Sequence, residues 1–420
     1  MFKIPRGTRD FTPEEMQKRR YLEDSMQTTF QTFGYKELQT PMFENLELFT
    51  AKSGEGIIEE IYSFTDKGDR KLALRPELTA PVIRFYVEKL QMEPKPLKLF
   101  YFGNCFRYDR PQKGRYREFR QAGCELIGTD TPEALAELIA LASTLLKNAG
   151  LKNISLYVGN LTILSSIFAD LNLTKDQQKK LTPLIDKAQF DDVNTMMQDF
   201  GIKQDEIKAF LEILQSSDIK TVLKYVSKNE EVKKELSKLE SIFKLLRDSF
   251  KIPNPKIKMS IVRGLDYYNG TVFEIDAPSL GAEKQICGGG VYELVSLFGG
   301  RETPTSGFAI GFDRTILALE TETYKFPKTT TDIYIIPVDE GLIPKAIEIL
   351  QDLRKNNILA DVDLLRRGIS KSLKYASSIN VKKVIIVGSK ELKNQSITVR
   401  DMKSGEQKTI KIEDLLKVLK

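Results

Sequence analysis

The side chains of this 420-residue chain that could do chemistry are arginines, carboxylates and tyrosines, because the chain contains no histidine. That absence excludes Ser-His-Asp and Cys-His nucleophilic catalysis, HExxH metalloprotease chemistry and histidine-based proton transfer. Three scattered cysteines, Cys105, Cys124 and Cys287, cannot supply an all-cysteine zinc cage, so no metal-ligand set is expected among the side chains. What remains are positioned cations, which suit phosphate chemistry. Arg107, Arg110, Lys113, Arg115, Arg117 and Arg120 crowd into RYDRPQKGRYREFR; Arg263 lies in VRGLDYY; Arg314 follows GFAIGFD.

These residues need a scaffold, and the spacing predicts one. Thr12-Pro13-Glu14-Glu15 reads as a helix start, with Thr12 as cap, Pro13 in the first turn and Glu15 completing a capping box. Met16, Leu22, Met26, Phe30 and Phe33 continue at helical spacing to Gly34. Strands are predicted from Tyr35 to Pro41, at 72–75, at 98–107 and at 119–127, with the basic loop between the last two. Thr131-Pro132 opens a helix that Gly150 closes. Residues 170–250, rich in Lys, Gln, Asp and Leu, read as a helical insertion. Strand-like sequence resumes at 257–276 and 285–299. A Pro-Thr-Ser-Gly turn at 304–307 leads through 308–312 into the helix bearing Arg314.

Domain 1–325 therefore reads as α+β. Tyr324–Thr331 reads as a linker. Domain 329–420 alternates strand and helix: strands at 333–337, 358–363 and 384–388, helices near 341–356 and 368–379. This predicts a small α/β unit with a largely parallel sheet. Most of the net charge of +6 falls in this second domain, which fits nucleic-acid binding and a solvated surface nearly equally. No CxxC pair, no signal-peptide core and no apolar run near the ~20 residues of a membrane helix point to a cytoplasmic, non-membrane protein. There is no GxxxxGK[ST] loop, and Gly288-Gly289-Gly290 does not complete GxGxxG, since Glu293 stands at its last position.

Taken together, three separated segments carry a resemblance. The strand ending at Thr40-Pro41, the strand–loop–strand Phe106-Arg107-Tyr108 through Arg117-Glu118-Phe119-Arg120-Gln121, and Gly307-Phe308-Ala309-Ile310-Gly311-Phe312-Asp313-Arg314 resemble motifs 1, 2 and 3 of class II aminoacyl-tRNA synthetases. Val262-Arg263-Gly264-Leu265-Asp266-Tyr267-Tyr268, Arg6-Gly7-Thr8-Arg9-Asp10-Phe11 and Leu74-Arg75-Pro76-Glu77-Leu78-Thr79-Ala80-Pro81 resemble the histidyl-tRNA synthetase (histidine–tRNA ligase) family within that class. The C-terminal unit resembles its anticodon-binding domain. The match covers nearly the whole chain and is weakest over 170–250.

The resemblance implies an antiparallel class II catalytic domain with a helical insertion, a C-terminal α/β anticodon-binding domain and a homodimer. The implied substrates are histidine, ATP with Mg2+, and tRNA(His), joined through a histidyl-adenylate. It implies Arg107 and Arg263 on opposite sides of the α-phosphate, and Arg115 and Arg314 on the β- and γ-phosphates. Phe119 and Arg314 would sandwich adenine. Arg107, Arg263 and Arg314 are the implied catalytic arginines. Glu77, Thr79 and Gln121 would hold the substrate ammonium, while Glu125, Tyr268 and Tyr292 would read the imidazole. Tyr267 and Tyr268 are adjacent in a strand and point to opposite faces, so at most one lines the pocket, with Tyr268 favoured.

Plainer readings stand beside these. Glu77 could cap a helix, Cys105 and Cys124 could be small core side chains, and Lys113 could face either tRNA or solvent. The sequence also departs from the family. Val291 and Glu293 replace an Arg and an Asp of a Gly-Gly-Arg-Tyr-Asp pocket segment, leaving the register of Tyr292 open. Arg120, Asp313 and Leu78 stand where His, Glu and Gly are common. Competing functions are a histidine-binding regulatory paralogue of histidine biosynthesis, which usually lacks the C-terminal domain, and a tRNA-sensing module, which needs a kinase neighbour.

Overall fold

The computed structural model describes residues 2–53, 55–110, 114–225, 230–262, 268–328 and 330–419. Two units form, Met1–Phe326 and Pro327–Lys420.

The first unit is built on an eight-stranded sheet. In spatial order its strands are Lys36–Glu37, Leu97–Phe106, Glu118–Ile127, Thr305–Gly311, Gln285–Tyr292, Tyr268–Asp276, Ser155–Asn160 and Lys256–Ile257. The six inner strands pair antiparallel and the two outermost pairs are parallel. Alternation along the strands sorts residues onto two faces. Phe100, Ala122, Cys124, Leu126, Phe308 and Ile310 point to one face and pack against helices Pro13–Thr32 and Pro132–Asn148. Phe30 of the first helix stacks on Phe100 with ring centres 4.7 Å apart. The opposite face carries the site.

Local signals placed these helices. Thr12 and Glu15 form the capping box, with Pro13 in the first turn. The helix ends at Thr32, before Gly34 at φ 80°. Leu22, Met26 and Phe30 are buried as expected, whereas Met16 is exposed. Within 170–250 the described residues form the helices Lys175–Asp186, Phe190–Asp199, Gln204–Gln215, Ile219–Tyr225 and Glu230–Asp248. The last of these lies on Pro132–Asn148, tied by Lys238–Asp130 at 2.8 Å and by Asn160 donating to Glu235 at 2.7 Å.

Four expectations, three strands and a turn, need correction. The strand expected from Tyr35 to Pro41 is laddered only at Lys36–Glu37. Beyond it the carbonyls of Thr40 and Pro41 accept from Nη1 of buried Arg75, at 2.9 and 3.0 Å, so a side chain replaces the ladder. The turn expected at 304–307 is instead strand from Thr305 onward, because Thr305 and Ser306 are buried and paired on both sides. The strand expected over 285–299 stops at Tyr292, and 257–276 is two strands rather than one run.

The second unit has a five-stranded sheet in the order Ala360–Val362, Ile333–Pro337, Lys383–Val387, Ser396–Asp401 and Gln407–Lys411. The first three are parallel, and helices Ile343–Lys355 and Ile369–Ser378 make the crossovers. The last two are antiparallel, which corrects the expectation of a largely parallel sheet. Among the described residues, no helix is long and apolar enough to cross a membrane.

Candidate active site

The site-bearing face of the sheet has an unusually low floor. Cross-strand pairing aligns Gly103 with Gln121, Glu125 with Gly307, Gly307 with Gly290, and Ala309 with Gly288. Of these small residues, Gly307 and Ala309 line a cavity of about 270 Å³ beside the start of the helix Thr79–Phe85. Glu77, Thr79, Arg107, Gln121, Tyr268 and Tyr292 line it. All six were expected at the site.

Glu125 lies on the same sheet face and is fully buried. Tyr101 Oη donates to its Oε1 at 3.0 Å, and the Tyr292 hydroxyl donates to Oε2. Two glycines make room for this triad. A Cβ at Gly307 would fall 1.8 Å from Glu125 Oε2, and one at Gly123 would fall 2.6 Å from Tyr101 Oη. Burial raises the Glu125 carboxyl to about 8, despite the pull of the Tyr292, Tyr101 and Thr79 hydroxyls. Burial, then Glu125, likewise pushes both tyrosines well above their usual value. The result is a carboxyl held mostly neutral at pH 7.

Glu77 does two things. Its Oε2 accepts from the Thr79 N–H at 2.6 Å and its Oε1 from the Ala80 N–H at 3.0 Å, so it caps the short helix. The same hydrogen bonds hold its carboxylate at the cavity wall. Arg107 is fixed by Nε donation to the Pro76 carbonyl at 2.9 Å and lies over the Phe119 ring at 5.2 Å. Gln121 accepts a weak hydrogen bond from Cys105 Sγ at 3.3 Å. Cys105, Cys124 and Cys287 are all buried and free, and burial raises each thiol.

Other expected residues lie off the cavity wall. Arg115 pairs with Asp109 at 3.0 Å on the exposed loop. Arg314 donates to the Gln285 carbonyl at 2.9 Å and to Glu283 at 2.8 Å, so Arg107, not Arg314, covers Phe119 here. Arg263, Tyr267 and Lys113 lie outside the described residues. The open register of the glycine segment resolves to Tyr292, which faces Glu125, while Val291 packs against the opposite core. Tyr268 meets Tyr292 edge-on at 6.1 Å. Sequence reasoning missed Tyr101. Its signal was parity: it lies opposite Gly123, two residues from both Gln121 and Glu125 on the paired strand, hence on their face.

Comparison with known proteins gives the family. The model described as histidyl-tRNA synthetase matches residues 7–315, and that described as anticodon binding domain matches residues 332–420. The histidine–tRNA ligase of Methanosarcina acetivorans is 43% identical over 98% of this chain and 97% of its own. That of Methanocaldococcus jannaschii is 44% identical over 99% of each. The apo histidyl-tRNA synthetase of S. aureus superposes over 100% of both chains with a TM-score of 0.75 at 32% identity. A Nostoc histidyl-tRNA synthetase shares the fold, at a TM-score of 0.85 and 24% identity, over 100% of this chain and 99% of its own. With a family model spanning most of its length and relatives above 40% identity end to end, this chain belongs to the histidyl-tRNA synthetase family.

Proposed function

We propose that this chain attaches histidine to tRNA(His) at the expense of ATP. The observation that carries the reading is the buried Glu125, which accepts from Tyr101 and from Tyr292, itself part of the cavity lining. A carboxyl in such a network can tell imidazole from other flat side chains, because only a ligand with ring nitrogens can exchange a proton or a hydrogen bond with it.

In the first step, a histidine carboxylate oxygen attacks the α-phosphorus and the bond to pyrophosphate breaks. In the second, the terminal ribose hydroxyl of tRNA attacks the acyl carbon and AMP leaves. The first step gathers negative charge on phosphorus and needs cations more than a proton acceptor. Arg107 and Arg263 supply them, with Arg115 and Arg314 on the outer phosphates. Phe119 offers adenine a flat face, with Arg314 opposite. Glu77, Thr79 and Gln121 take the ammonium, and Glu125, Tyr268 and Tyr292 take the ring. Arg314, now held by Glu283 and the Gln285 carbonyl, would exchange those partners for ATP.

Mg2+ would neutralise phosphate charge. Among the described residues no three Asp, Glu or Cys side chains gather as a ligand set, which fits an ion that arrives on the phosphates rather than in a protein cage. The unit Pro327–Lys420 would hold the anticodon. The setting would be the cytoplasm, where ATP and tRNA are present and three free buried thiols stay reduced.

The test is ATP–pyrophosphate exchange with each of the twenty amino acids. Exchange with histidine alone is expected. No exchange, with histidine still bound, would instead favour a regulatory histidine-binding role, against which the retained C-terminal domain argues.

A homodimer is also proposed. Met42, Phe43 and Phe64, beside the Thr40-Pro41 segment, are each about half exposed, and Phe43 and Phe64 meet edge-on at 6.3 Å. A second copy of the chain would cover them. Sedimentation should give twice the mass of one chain; a single-chain mass at assay concentration would refute this.

A further inference from the structure

Behind the sheet, opposite the cavity, lies a charged cluster that the proposed chemistry does not use. Asp313, at the first turn of the helix Phe312–Thr321, is buried. Its Oδ1 accepts from Arg9 Nη2 at 2.7 Å and from Arg19 Nη1 at 2.5 Å. Its Oδ2 accepts from the Arg120 backbone N–H at 2.8 Å. The pairing of Glu118–Ile127 with Thr305–Gly311 ends at Gln121 and Gly311, so this carboxylate takes the next N–H in place of a ladder carbonyl.

The cations are held by rings. Arg9 lies 3.4 Å over Tyr116 and 5.0 Å from Phe11; Arg19 lies 4.1 Å from Phe11 and 5.1 Å from Phe312. Arg120 lies 5.7 Å from Phe312 and donates to Glu23 at 2.7 Å. Burial pushes the Asp313 carboxyl up, but Arg19, the Arg120 N–H and Arg9 outweigh it and hold the group below its usual range, hence ionised. The amino-terminal arm is also tied just ahead of the strand Glu118–Ile127, since the Arg117 N–H donates to the Gly7 carbonyl at 2.9 Å.

We propose that Asp313 and Arg9 form a latch that positions the ATP half of the site. The latch fixes the backbone of residues 116–120 against the start of the Arg314 helix, and so sets Phe119 and Arg314 from behind. Asp313 is a positioning residue that touches no substrate. This rests on the reading of Phe119 and Arg314 as ATP contacts. The histidine half, around Glu125 and Tyr292, lies further along the strands and has its own supports.

Asp313→Asn keeps an oxygen for the Arg120 N–H and removes the charge that holds Arg9 and Arg19. In ATP–pyrophosphate exchange it should raise KM for ATP about tenfold while leaving KM for histidine within about twofold, the pattern of a misplaced nucleotide contact. Arg9→Met, which keeps volume against Tyr116, should show the same split more weakly, and Arg9→Lys should recover part of it. If Asp313→Asn does not fold, Arg9→Met and Arg9→Lys carry the test. Equal rises in both KM values, or no rise, would overturn the latch. Phe119→Ala separates the two readings. If it leaves KM for ATP unchanged, the ATP assignment fails and the latch with it. If it raises KM for ATP while the Asp313 and Arg9 variants do not, the latch alone fails.

Discussion

Glu125→Gln should lower kcat/KM for histidine about 100-fold, mostly through KM, the scale of a lost charge-assisted hydrogen bond in a dry site. The amide fills the same space beneath Gly307 and still meets the Tyr101 and Tyr292 hydroxyls, so the loss would report proton exchange with the ring rather than a cavity. An unchanged KM for histidine would remove Glu125 from the recognition set. The same substitution has a signature without substrate. In the native chain the carboxyl titrates at about 8, against an unfolded value of 4.5. Between those limits the native state holds a proton that the unfolded state has lost, so the stability contributed by this group is complete below 4.5 and drains away as pH rises to about 8. Denaturant melts of the ligand-free protein should therefore show stability falling across that window more steeply in the parent than in Glu125→Gln. Parallel pH profiles would mean that Glu125 is ionised in the fold.

The cavity residues were legible because strand parity and local motifs fix side-chain direction. Tyr101, Gln121 and Glu125 sit on two paired strands, and alternation alone puts them on one face, with Arg107 just past the end of the first strand. What stayed hidden depends on contacts far apart in sequence. Arg75 ends the first strand by donating to carbonyls 34 and 35 residues away. Nothing in Leu74-Arg75-Pro76 announces that. Thr305-Ser306-Gly307 has the composition of a turn, yet it is strand, because the sheet there needs a residue with no side chain opposite Glu125. Local preference for a turn yielded to a packing demand made by a residue some 180 positions earlier. Glu77 shows that two readings can both hold: its capping bonds are what aim it at the cavity.

Arg263→Ala should cut the rate of histidine-dependent pyrophosphate exchange by at least ~100-fold, the cost of removing one donor aimed at developing charge. The argument is chemical. Adenylation moves two anions together, and the pentavalent phosphorus carries more negative charge than either reactant. Arg107 is anchored by Pro76 and Phe119 on one wall of the cavity, so it can meet that charge from one side only. Tyr268, five residues after Arg263 in the sequence, lines the cavity as well. The step needs cations more than a proton acceptor, and a water cannot match a fixed guanidinium. The loss should appear in kcat, with KM for ATP changed only a few-fold, because a contact formed in the transition state alone lowers kcat and kcat/KM together. Arg263→Lys should recover little, since an ammonium lacks the planar fork that spans two oxygens. A normal exchange rate in Arg263→Ala would leave Arg107 as the sole cation at the α-phosphate and would require the charge to be met by the phosphates' own metal ion.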